Sequence, residues 1–245
     1  MNDYTAPSTG MTVRAVLFDV FGTVVDWRSG ILAAVSSFVR EHDLGLDPGE
    51  FADAWRGLYV PSMARVRSGE RPFVSLDVLH RENLVTALRE HAFDPGDFAS
   101  AELDALAKAW HFLPPWQDSA EGILRLKPDF IVGTLSNGNT SLLVDMAKAG
   151  GLAWDVILGS DVSQAYKPDP DAYLKPAAML GLKPGEVMLA AAHNGDLAAG
   201  RAAGLATGFI ARPNERGPGH EAEVTPTADW DVAATSIIDL ARQLS

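Results

Sequence analysis

The sequence predicts an α/β protein: a parallel-sheet core of alternating strands and helices, opened after its first strand by an all-helical cap. Three observations predict it. Residues 13–18 form an apolar run interrupted only by Arg14, and the run ends on Asp19; β-branched runs of this length read as strands buried on both faces. Residues 26–112 show helical periodicity and no strand alternation. Beyond residue 118, short apolar runs alternate with helical stripes, which is the pattern of βα units.

In chain order, Gly22 lets the backbone leave the first strand tip in a conformation other residues resist, with the hydroxyl of Thr23 beside it. Ile31, Leu32, Val35, Phe38 and Val39 then repeat at helical spacing, with Ser29 as the expected cap. Pro48 suits the first turn of the next helix. Phe51, Ala54, Trp55 and Leu58 give one stripe, and Leu76, Leu79, Leu84, Val85 and Leu88 another. Leu113-Pro114-Pro115-Trp116 ends the insert, and Asp118 to Glu121 has the spacing of a capped helix start. Strands are expected at 130–135, 156–159, 187–191 and 206–211, with helices at 142–149, 170–180 and 197–203 between them. Residues 212–227 read as a Pro/Gly-rich loop, and 231–243 as a closing helix. The core is therefore expected to be discontinuous, 1–25 joined to 113–245, with the cap at 26–112.

Composition narrows the function. The chain of 245 residues carries a net charge of -12, which disfavours nucleic acid and anionic membrane surfaces as partners. An anionic substrate then requires a local cationic pocket. With no cysteine, there is no thiol nucleophile, disulfide or thiolate metal site. No stretch is long and apolar enough to span a bilayer, and residues 1–10 are polar without a signal-peptide pattern, so a cytoplasmic protein with a floppy start is expected.

Each expected core strand hands over to polar residues at its carboxyl end. Asp19 and Thr23 follow the first, Ser136-Asn137-Gly138 the second, Lys167-Pro168-Asp169 the third and His193-Asn194-Gly195-Asp196 the fourth. Right-handed crossovers bring these ends to one edge, where open α/β sheets bind ligands. Taken singly, Ser136 is a turn former, Asp196 a helix cap and Lys167 a surface lysine. Their joint placement is what calls for a site.

These four segments, in this order and with the helical insert after the first, resemble the motifs of the haloacid dehalogenase superfamily. The resemblance implies a doubly wound, Rossmann-like core with a helical cap over Asp19. Within the superfamily, phosphatases place a second Asp two positions after the nucleophile and hold Mg²⁺ with further carboxylates. Here Phe21 occupies that position, and Leu197-Ala198-Ala199-Gly200 follows Asp196. Phe21 can neither ligate a hard cation nor transfer a proton. The pattern is instead similar to the L-2-haloacid dehalogenases, with no metal and no cofactor expected.

That resemblance implies roles. Asp19 attacks the halogen-bearing carbon of a halocarboxylate, forms an ester and expels halide. Lys167 keeps Asp19 ionised, Asp196 orients or deprotonates the hydrolytic water, and Thr23 hydrogen-bonds the nucleophile. Ser136 holds the substrate carboxylate, while Asn137 and Arg56 cradle the halide. Phe21, Tyr173, His193 and Asn194 complete the expected lining. Core packing is an almost equal explanation for Tyr173, and a surface position on an amphipathic helix is the plain alternative for Arg56. Ala191 and His193 stand where members of the family carry Ser and Asn, and His193 is expected either to fill the turn or to donate toward a small halide such as fluoride. The expected partners are a halocarboxylate and halide, with a homodimer implied by likeness alone. A phosphatase and a non-catalytic scaffold remain the alternatives; retention of Asp19, Lys167 and Asp196 disfavours the scaffold, because uncompensated buried charge is costly.

Overall fold

A computed structural model describes residues 3–217, 222 and 224–245. Its centre is a five-stranded sheet in the order β2-β1-β3-β4-β5, with every neighbouring pair parallel. The strands are β1 (Ala15–Phe18), β2 (Ile131–Thr134), β3 (Val187–Ala191), β4 (Ala206–Ile210) and β5 (Val232–Ala234). β1 lies between β2 and β3, so successive crossovers depart to opposite sides of it, and the chain's switch point falls at its carboxyl end. Asp19 is the next residue, its N–H donating to Ala190 O at 3.0 Å.

Alternation along β1 divides the core. Val16 and Phe18 join one apolar cluster with Val132, Met188 and Ile210, while Ala15 and Leu17 join another with Leu189, Phe209 and Tyr173. Helices cover both faces: α6 (Ser119–Leu126), α7 (Thr140–Gly150), the short α8 (Ser160–Ser163), α9 (Asp171–Met179), α10 (Asn194–Ala202) and α11 (Ile237–Leu244). The insert between β1 and β2 carries α1 (Trp27–Glu41), α2 (Pro48–Gly57), α3 (Tyr59–Arg67), α4 (Leu76–Glu90) and α5 (Ser100–Ala107), then a 3₁₀ turn at Lys108–His111. It is tied to the sheet side by His111, which joins Asp77 (2.9 Å) to Asp145 (2.8 Å), and by Tyr166 O–H donating to Val74 O at 2.7 Å.

Several expectations are corrected. Residues 156–159 are not a strand: only Val156 bridges to Gly133, and beyond it the Thr134 hydroxyl donates to Leu158 O (3.1 Å) and accepts its N–H (2.8 Å). A side chain has replaced the ladder there. The expected closing helix begins late, because Val232–Ala234 pairs with β4 as an edge strand. α1 is capped by Asp26, whose carboxylate accepts from Ser29 N at 3.0 Å, rather than by Ser29. Asp118 caps no helix N–H of its own; Arg212 and the N–H of Ile237 claim its carboxylate. The start of the chain is not floppy from residue 3 onward: Ala6 is fully buried, Thr5 bridges to Thr12, and Ser8 donates to Asp231 at 2.6 and 2.7 Å. Residues 218–221 and 223 of the expected loop lie outside the described residues. No helix among the described residues is long and apolar enough to cross a membrane.

Candidate active site

Two strand ends and one loop build the floor. Asp19 follows β1, Lys167 sits just before α9, and Asp196 lies in the first turn of α10. Lys167 Nζ stands 3.2 Å from Asp19 Oδ1 and 2.6 Å from Asp196 Oδ2, so one ammonium links the two carboxylates. Thr23 O–H donates to Asp19 Oδ2 at 2.9 Å, and Thr23 Oγ1 itself accepts from Ala192 N at 2.9 Å. The backbone of the β3 end thereby fixes the direction of that hydroxyl proton. Tyr173 O–H donates to Asp196 Oδ1 at 2.7 Å.

The electrostatics split the two carboxylates. Burial resists ionisation of Asp19, but the charge of Lys167, with the donors His193 and Thr23, outweighs it and holds Asp19 well below the usual carboxylate range. Burial also opposes ionisation of Asp196; there the Asp19 charge adds to it and Lys167 does not cancel both, so Asp196 sits above its usual range. Two carboxylates sharing one cation thus have distinct tasks: a permanent anion and a group able to take up a proton. Lys167 is desolvated, yet its two anionic neighbours keep its affinity for the proton above the ordinary lysine value.

Above this floor lies a cavity of about 340 Å³, lined by Asp19, Phe21, Arg56, Tyr59, Asn137, Lys167, Tyr173, His193 and Asp196 among others. That volume is at the small end of ligand pockets and suits a molecule of a few carbons. Arg56, on α2, provides the roof. Its guanidinium carbon lies 3.9 Å from the Tyr59 ring centroid, with the rings of Trp27, Phe21 and Trp110 at 5.2, 5.9 and 5.8 Å. Its Nη1 is buried without a hydrogen-bond partner. A desolvated cationic N–H without an acceptor is expensive unless an anion completes it. Asn137 contributes beside it: Oδ1 accepts from Lys167 N at 2.8 Å, while the amide side is hydrogen-bonded to Tyr59.

Of the residues expected from sequence, Asp19, Phe21, Arg56, Asn137, Lys167, Tyr173, His193 and Asp196 share this one cavity, with Thr23 directly behind Asp19. Two are placed otherwise. Asn194 turns away from it: Oδ1 accepts from Thr227 N (2.9 Å) and Trp230 Nε1 (2.8 Å), and Nδ2 donates to Thr225 O (3.1 Å). It staples the loop before β5, with both its amide oxygen and its amide nitrogen engaged there. Ser136 is buried beside the lining, its Oγ accepting from Gly138 N at 3.1 Å in a local turn.

Sequence reasoning missed Tyr59, Trp27, Trp110 and Glu215. Tyr59 lies three residues after Arg56, a spacing that carries the cage when the helical stripe is read for cation partners as well as for core. Glu215, 4% exposed in a loop after β4, has no local signal; its carboxylate meets His193 Nε2 at 2.9 Å and accepts from Trp27 Nε1 at 3.3 Å.

Comparison with known proteins places this geometry among relatives. The family model described as haloacid dehalogenase-like hydrolase matches residues 13–204. A solved defluorinating L-2-haloacid dehalogenase is 59% identical, covers 99% of each chain and superposes with a TM-score of 0.97. Another L-2-haloacid dehalogenase structure is 46% identical over 95% of this chain and 98% of its own, with a TM-score of 0.88. Among curated proteins, the (S)-2-haloacid dehalogenase of Xanthobacter autotrophicus is 26% identical over 82% of this chain and 76% of its own length. The phosphoglycolate phosphatase of Escherichia coli K12 is 25% identical over 78% and 79%.

Proposed function

The chain belongs to the haloacid dehalogenase-like hydrolases, and from that membership and the site we propose a hydrolase of carbon–halide bonds acting on short 2-haloalkanoic acids. The observation that carries this reading is the position of Lys167 Nζ, at 3.2 and 2.6 Å from the two carboxylates. One ammonium thus bridges the two carboxylates at the sheet edge. Phe21 also supplies no second acid two residues after the nucleophile.

In the first step an Asp19 oxygen attacks C2 of the substrate; the C–O bond forms as the C–halogen bond breaks, and the halide leaves with the electron pair. The uncompensated Nη1 of Arg56 and the Asn137 amide receive it, and the aromatic cage keeps water from competing for that charge. The third N–H of Lys167 remains for the substrate carboxylate. In the second step a water attacks Asp19 Cγ and passes a proton to Asp196, whose raised basicity suits it to the task. The 2-hydroxy acid departs, taking that proton; the water's other proton is released, and Asp19 returns as carboxylate. The cap role of residues 26–112 belongs to the same proposal: α2 brings the halide-binding cation to a floor built from the sheet edge. We extend the substrate range to fluoroacetate, given the small cavity and the 59% identity to a defluorinating enzyme.

Halide release from 2-chloropropionate in the presence of EDTA tests the reading. Undiminished release is expected, and Asp196→Asn should accumulate an enzyme whose mass is raised by the 1-carboxyethyl unit esterified to Asp19. Activity that EDTA abolishes and Mg²⁺ restores, or turnover of a phosphate ester instead, contradicts it.

A further inference from the structure

His193 is held between two carboxylates. Nδ1 stands 3.3 Å from Asp19 Oδ2 and Nε2 stands 2.9 Å from Glu215 Oε1. A neutral imidazole carries one N–H and one lone pair, so either tautomer would set a lone pair against a carboxylate oxygen. With both carboxylates held ionised, only the doubly protonated ring satisfies both contacts. Glu215 is itself held by Trp27, whose Nε1 donates to Oε1 at 3.3 Å, and its flanks are anchored: Arg212 donates to Thr23 O (2.8 Å) and grips Asp118, and Gly217 lies against Arg28. Gly22 leaves it room: a Cβ there would lie 2.1 Å from Glu215 Oε1.

We propose that Glu215 is a positioning residue that keeps His193 as an imidazolium aimed at Asp19 Oδ2, and that this cation serves hydrolysis of the Asp19 ester. Resting on the dehalogenase reading, the inference deepens it by assigning the two oxygens. Oδ2 already accepts from two donors, Thr23 and His193, whereas Oδ1 has one contact, Lys167 Nζ at 3.2 Å. Oδ1 is therefore the attacking atom, and Oδ2 becomes the carbonyl oxygen of the ester. When water adds to Cγ, the electron pair moves onto Oδ2 between two donors already in place. Collapse then breaks Cγ–Oδ1. One water proton travels through Asp196 to the departing alkoxide, and the other is released as the carboxylate re-forms. Preorganised donors on a developing oxyanion are worth about 10²–10³ in rate.

The charged groups facing this unit are Asp19 and Glu215 on the imidazole, Arg56 across from Glu215, and Lys167 and Asp196 on the far side of Asp19. Burial lowers the imidazole's proton affinity, but the two carboxylates overcome it and raise His193 to about 10.

Two measurements decide the matter. ¹⁵N NMR of the wild-type protein without substrate should show His193 doubly protonated at pH 8; a neutral ring there overturns the proposal. In Glu215→Gln, which keeps the shape but not the charge, the alkaline limb of ester hydrolysis should move down by about 1–3 pH units. Above the new limb the alkyl-enzyme should accumulate by mass, and Glu215→Asp should return the limb toward wild type. An unmoved limb, or equal loss at every pH without ester accumulation, also overturns it. Absent halide release from wild type would strike the dehalogenase reading instead, while the ring titration still decides this one.

Discussion

The floor and the roof of the cavity are built on opposite principles. At the floor, Lys167, Asp19, Asp196, Thr23 and Tyr173 form a network in which each charged or polar group meets a partner at 2.6–3.2 Å. In the roof, the cage of Tyr59, Trp27 and Trp110 surrounds a guanidinium whose Nη1 has none, and both ring nitrogens of the neighbouring His80 are likewise unpartnered. Burial and the Arg56 charge hold His80 well below the ordinary histidine value, so it packs as a neutral ring, stacked 4.3 Å from Trp110. The floor's polar groups satisfy one another, whereas the roof keeps one cationic N–H without an acceptor. On the proposed reading, the sheet edge carries the reaction and the helical insert receives the leaving group.

The largest effect is expected where the floor loses its nucleophile. Asp19→Asn should reduce turnover by about 10⁴-fold or more, as removal of a catalytic nucleophile does elsewhere; steady-state halide release checks it. Lys167→Met comes next. It leaves two buried carboxylates facing each other, so kcat should fall at least about 10²-fold and stability should drop by roughly 3–5 kcal/mol near neutral pH. A proton shared between the orphaned acids relieves part of that loss, so urea melts of this variant should approach wild type as pH falls from 8 to 5. Arg56→Lys alters only the roof. An ammonium cannot present the planar fork within the ring cage, and kcat/KM for 2-chloropropionate should fall about 10–100-fold with little change in melting temperature.

Per pH unit, the smallest effect is on stability. His193 has its folded value raised to about 10. Its stabilisation is therefore fully present below the unfolded value near 6.5 and is lost as pH rises toward 10. The folded state then binds the extra proton, so the slope is negative, at most about 1.4 kcal/mol per pH unit. His111, raised by Asp77 and Asp145 against its burial, adds a slope of the same sign. The difference between wild type and His193→Gln isolates the part belonging to the site.

The two regions also differed in how far the sequence revealed them. The floor was legible because strand ends are marked by apolar runs that stop at Asp19, Ser136 and His193, and parallel topology brings such ends together. The roof was only partly legible. Arg56 stood out, but its cage joins residues 27, 59 and 110 through tertiary packing of several helices, which no local period encodes. Glu215 was invisible for a related reason: its loop has turn composition, and only the fold brings it over Gly22. Asn194 misled because residues two apart in a helix's first turn lie on different faces, so that it turns to Trp230 and the loop before β5 while Asp196 faces the cavity. The edge strand Val232–Ala234 escaped because three residues give no alternation to read.

A single turnover in ¹⁸O-water, with enzyme in excess over 2-chloropropionate, tests the account's centre most directly. The prediction is an unlabelled hydroxy acid and one ¹⁸O in the peptide containing Asp19. Label in the product of that first turnover, with none in Asp19, means that water attacked the carbon itself and contradicts a carboxylate nucleophile.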